Sequence, residues 1–82
     1  MFKIKFNAEI CNQYDRDIFC RQCSALEKTL PSIQRKYEPM EDVDGTQFVE
    51  YRFDGDNIRV ENDSVMGVWL FADVDLKPYF KK

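Results

Sequence analysis

The stretch VWLFADVDL, residues 68–76, decides how this chain is read. Four consecutive apolar residues pass into a strict alternation of apolar side chains with Asp73 and Asp75. Successive side chains of an extended strand point to opposite faces. Val68, Leu70, Ala72, Val74 and Leu76 then form one apolar row, the seat for a helix. Trp69, Phe71, Asp73 and Asp75 form the opposite row, aromatic at one end and acidic at the other. This reading predicts one long strand from about Val65 to Leu76, stopped by Lys77-Pro78, with Tyr79 and Phe80 folding back on the domain. It depends on register, because a bulge at Gly67 or Ala72 turns part of the strand over.

Working backward, QFVEYRF (47–53) alternates Gln47, Val49, Tyr51 and Phe53 against Phe48, Glu50 and Arg52. DGDN supplies a hairpin turn, IRVE (58–61) returns with Ile58 and Val60 on one face, and NDS (62–64) turns again. Near the start, residues 2–10 read as a strand with Phe2, Ile4, Phe6, Ala8 and Ile10 on its core side. Between these lies a helix. Asn12 with Asp15 resembles a capping box, and Tyr14, Ile18, Phe19, Cys23, Ala25, Leu26 and Leu30 fall on one half of the wheel. Pro31 disfavours a helical Leu30 and ends the helix there. Ser32 to Glu38 fits either a further helical turn or an extended connection, and residues 38–46 read as an acidic loop. The order is β-α-β-β-β. It predicts a single α+β domain over residues 1–82, a mainly antiparallel four-stranded sheet with one amphipathic helix on one face. One helix covers one sheet face, so the other faces solvent, a partner, or the 32–46 segment and the tail.

An 82-residue chain buries a limited core, and seven Phe, four Tyr and one Trp compensate with large buried areas. The opening MFKIKFNAEI lacks the continuous apolar run of a signal peptide or membrane span. Three cysteines without a secretory signal read as free thiols, which places the protein in a cytoplasm. Cys20 and Cys23 have C-x-x-C spacing, but they lie mid-helix, and only Cys11 is available as a third ligand in a chain without histidine. Absence of histidine removes Ser-His-Asp and Cys-His catalysis, and three scattered glycines form no phosphate loop. DVDG echoes an EF-hand without its ligand register. The expectation is no enzyme, no cofactor and no metal, with a carboxylate site drawn from Asp54, Asp56 or Asp73 as the weaker enzymatic option.

The formal charge of −3 conceals a division, since residues 38–75 hold eleven Asp and Glu against Arg52 and Arg59. The two flanks are each basic. A solvated face is the plain explanation of such a run. The acids, however, sit on a meander of strands and turns together with aromatics. Arg16, Arg21 and Lys28, with Arg35 and Lys36, are diluted by Asp17 and Glu27, which disfavours direct nucleic-acid binding. An acidic surface with aromatic anchors suits a basic protein partner. The sequence therefore points to a small acidic inhibitor occupying the basic cleft of a nucleic-acid-handling protein. An immunity protein against a nuclease toxin or a phage counter-defence protein of anti-CRISPR type both fit. The candidate partner-binding residues are Trp69, Phe71, Asp73, Asp75, Asp54, Asp56, Glu61 and Asp63. The alternative is a structural or regulatory subunit that dimerises through the open sheet face or an edge strand. Neither reading involves a membrane, and composition leaves monomer and homodimer both open.

Overall fold

The computed structural model describes residues 4–30 and 32–80, without the side chains of Tyr79 and Phe80. The elements are β1 (Phe6–Cys11), α1 (Arg16–Thr29), β2 (Gln34–Arg35), β3 (Met40–Glu41), β4 (Gln47–Phe53), β5 (Asp56–Asp63), β6 (Gly67–Ala72) and the short α2 (Lys77–Phe80). All strand pairs are antiparallel, in the order β1-β6-β5-β4-β2, with β3 also paired to β4. The helix packs on one face of this sheet, as the alternation requires. The α+β two-layer architecture is the one expected, with six strands in place of four. The extra strands arise because the 32–41 segment is extended and lays two short pieces along the outer side of β4. The expectations for Phe2, Pro31 and the tucked Tyr79 and Phe80 side chains lie outside the described residues.

The core is built from the predicted rows. Val49, Tyr51 and Phe53 of β4, Ile58 and Val60 of β5, and Val68, Leu70 and Ala72 of β6 are all buried. Phe19, Cys23, Leu26 and Leu30 close it from the helix side. Leu30 takes an extended conformation at the end of α1 and donates its N–H to the Leu26 carbonyl. At the other end the cap is Asp15, not Asn12. Its carboxylate accepts the Ile18 N–H at 3.0 Å from an extended backbone, which satisfies one orphan donor of the first turn. Asp15→Ala is expected to destabilise the domain by about 1 kcal/mol, read as a lower urea midpoint at constant slope.

Two strands depart from the expected alternation for identifiable reasons. The register of β1 against β6 runs Phe6 opposite Ala72 and Ala8 opposite Leu70, then slips, so that Cys11 faces Val68. Ile10 is exposed at the bulge, where it lines the hollow between α1 and β1 beside Phe6 and Ala8, while Cys11 packs against the core. At the far end β6 stops at Ala72, four residues short of the expected Leu76. Asp73 donates its N–H to the Asn57 carbonyl, while its carboxylate accepts the Asn57 N–H at 2.7 Å and the Asn57 Nδ2 at 2.9 Å. A side-chain oxygen thus stands where the next ladder carbonyl would be, and pairing ends. Leu76 nevertheless remains fully buried beyond the strand. The longest strand is β5. The turn before it is Asp54-Gly55, both with positive φ of 51° and 83°, as a two-residue hairpin demands.

A polar tie crosses the layer boundary at the open end of α1. The Tyr51 hydroxyl donates to Glu27 Oε2 at 2.7 Å, and Arg35 Nε donates to the same oxygen at 2.7 Å. Burial alone would raise the Glu27 pKa, but the Tyr51 hydroxyl and the Arg35 guanidinium outweigh it and hold the carboxyl below its ordinary 4.5. A depressed folded-state pKa contributes stability that is complete above the unfolded value and is lost as pH falls through the folded one. Glu27→Gln is therefore expected to flatten the loss of unfolding free energy between about pH 5 and about pH 3, measured by urea titration across that range.

Candidate functional site

With α1 covering one side, the other side of the sheet carries the outward row of every strand. Cross-strand register sets its neighbours. One row runs Glu9, Trp69, Glu61, Phe48, Met40 and the next runs Asn7, Phe71, Arg59, Glu50. Trp69 and Phe71, two residues apart on β6, stack with centroids 5.9 Å apart and planes 9° from parallel. The indole Nε1 donates to the Met66 carbonyl at 3.3 Å, which fixes the ring over the β5–β6 turn. Tyr37 meets Phe48 edge-on at 6.3 Å.

At the centre lies Arg59. Its guanidinium sits 4.6 Å from the Phe48 centroid and bonds Glu61 Oε2 at 2.5 Å through Nε and Glu50 Oε2 at 3.0 Å through Nη1. Burial would lower the Arg59 pKa, but the bonds and charges of Glu61 and Glu50 hold it above its ordinary value. The same surroundings act on the Tyr37 phenol, whose pKa rises through burial and then through the charge of Glu50. The result is an interlocked cluster in which one guanidinium offsets only part of the charge of the carboxylates around it. The face is aromatic across its middle and acidic towards the turns.

That turn end carries further exposed apolar side chains. The β3–β4 and β5–β6 turns are joined by the Ser64 N–H to Thr46 Oγ1 bond at 3.2 Å. Val43, Val65 and Met66 project from them, and Met40 is half-exposed on the adjoining row. Asp42, Asp44 and Asp63 stand among these tips, each accepting backbone N–H groups of its own turn.

The sequence-derived candidates fall into two groups. Trp69, Phe71 and Glu61 are neighbours on the open face. Asp63 ends β5 at the same edge and binds the Val65 and Met66 N–H groups at 2.8 Å. The other four are elsewhere. Asp73 is engaged with Asn57, and Asp75 accepts the Lys77 N–H at 3.0 Å ahead of α2. Asp54 lies in the β4–β5 turn and Asp56 starts β5, both at the opposite end of the sheet. The odd row that was expected to run from Trp69 to Asp75 therefore ends at Phe71. Glu9, Met40, Phe48, Glu50 and Arg59 complete the face and were not singled out. An apolar Phe48 in the polar row of QFVEYRF was the available signal, as were valines and a methionine in turns otherwise made of Asp, Gly and Ser.

Among the described residues no group of three or more Cys, Asp or Glu side chains is placed to hold a metal ion. Cys20 is exposed and Cys23 buried, and burial pushes the Cys23 thiol pKa up. One shallow hollow lies along the outer side of α1 at Cys20, Arg21, Ser24, Ala25 and Lys28, and another of about 230 Å³ lies between α1 and β1. Neither is lined by a carboxylate. No described helix is long and apolar enough to cross a membrane. The chain matches no protein-family model, no curated protein and no solved structure.

Proposed function

We propose that this chain is a non-catalytic, cytoplasmic protein–protein interaction module, an inhibitor that docks its open sheet face on the basic cleft of a nucleic-acid-handling protein. The observation that carries the reading is the sheet face away from α1, where partly exposed Trp69, Phe71 and Phe48 lie beside exposed Glu9 and the Arg59-paired Glu61 and Glu50. Aromatic anchors supply binding energy at such interfaces, while carboxylates speed encounter with a positive surface. A toxin-immunity role and a phage counter-defence role both need only this, a small acidic plug without turnover.

The test compares proteins retained by the immobilised wild-type chain with those retained by Trp69→Ala/Phe71→Ala. The reading expects a basic protein held by the wild type, released by salt, and bound about 30-fold or more weakly by the double variant at unchanged circular dichroism. A wild-type chain that self-associates in light scattering, and becomes monomeric in the double variant, would instead assign the face to a homodimer.

A further inference from the structure

We propose that Trp69, with Glu9 and Glu61 on the strands to either side, is a receptor for an arginine side chain presented by the partner. This rests on the reading that the acidic face docks on a basic protein, and it names the group that the face recognises.

Register carries the argument. Trp69 pairs with Glu9 on β1 and with Glu61 on β5. Directly opposed residues of an antiparallel pair hold their Cβ atoms about 5 Å apart. The indole therefore has a carboxylate-bearing neighbour on both sides, all three on the uncovered face. The same face already contains an arrangement of this kind within the chain. The Arg59 guanidinium lies 4.6 Å from the Phe48 centroid and is held by Glu50 and Glu61. Glu61 is opposite both Phe48 and Trp69, so one carboxylate serves both aromatic positions. It engages Arg59 through Oε2, and a carboxylate has acceptor capacity on both oxygens. Glu9 is exposed and makes no ion pair among the described residues, where Arg59 over Phe48 is also the one guanidinium placed on a ring.

Charge and shape favour arginine over lysine. A guanidinium is planar, stacks on an indole and directs in-plane donors to carboxylates at its edges, whereas an ammonium is a compact, strongly hydrated point charge. The Phe71 ring, stacked on Trp69, adds apolar surface next to the indole for the aliphatic stem of the incoming side chain.

Trp69 is the only tryptophan, so its fluorescence reports the site directly. The full chain is titrated at low ionic strength with deca-arginine and, separately, with deca-lysine, as wild type, Glu9→Gln and Asp54→Asn. Asp54→Asn removes the same charge from the distant β4–β5 turn. The proposal expects a saturable change with deca-arginine, affinity about tenfold above that for deca-lysine, and a loss of about tenfold in Glu9→Gln but not in Asp54→Asn. Equal affinities for the two peptides, or equal losses in the two variants, would overturn the arginine receptor and leave the acidic docking face standing. Failure of both peptides to bind would overturn both.

Discussion

Gly67→Ala is expected to destabilise the domain by on the order of 4 kcal/mol, against a total of roughly 4–12 kcal/mol for a chain of this size. Gly67 opens β6 with φ of +95°, and a Cβ added there would lie 2.2 Å from the Cys11 carbonyl oxygen, 2.6 Å from the Gln13 nitrogen and 2.8 Å from the Asn12 carbonyl carbon. All three contacts are backbone, so no side-chain rotation relieves them. To accommodate the methyl, the β1–α1 connection must move away from the sheet, which disturbs β1 pairing and the α1 cap together. Gly45 and Gly55 calibrate the effect. Their φ values are +89° and +83°, and nothing lies within 4 Å of an added Cβ. Alanine there carries the conformational penalty alone, about 1 kcal/mol. Thermal and urea unfolding of the three variants should separate Gly67 from the others. Equal losses at all three would mean that the approach of the two backbones is unimportant.

Asn62→Ala is expected to cost about 2–3 kcal/mol. Asn62 is fully buried on β5, within the apolar face under α1. Its Oδ1 accepts the Asp15 N–H at 3.0 Å, and its Nδ2 donates to Gln47 Oε1 at 2.9 Å. One side chain thus fastens the N-cap residue of α1 to two adjacent strands. Alanine leaves a void and strands the Asp15 donor, and a buried unpaired donor costs more than the lost bond itself. Hydrogen exchange gives the specific readout, because the Asp15 amide should lose protection in Asn62→Ala beyond what the global destabilisation explains. Retained protection would show that another acceptor takes over.

The faces of β4, β5 and β6 were legible because alternation is a local property, and burial of one side fixes which way it points. Val49, Ile58, Val60 and Leu70 needed no knowledge of their partners. What escaped depended on residues distant in sequence. The end of β6 is set by Asp73 meeting Asn57, sixteen positions earlier. The slip at Ile10 is set by where Val68 stands on the neighbouring strand. Asn12 and Asp15 are both acceptable caps by type, and Asn62 on β5 holds Asp15 in place. The candidate face divides in the same way. Trp69, Phe71 and Glu61 follow from alternation, while Glu9, Phe48 and Arg59 become part of one surface only through pairing across β1, β6, β5 and β4. Asp73 and Asp75 drop out because the pattern of VWLFADVDL outlasts the strand that it describes.

The bulge in β1 has a bearing on behaviour in concentrated solution. β1 ends the strand order, and a terminal strand offers its outer row of N–H and C=O groups as a template for further chains. A strand that slips by one residue between Glu9 and Cys11 changes the direction of those groups midway. An incoming strand that matches the first half is out of step with the second. The irregularity at Ile10 thus interrupts the seam that an added strand would follow and disfavours a continuous edge-to-edge ladder along the full length of β1.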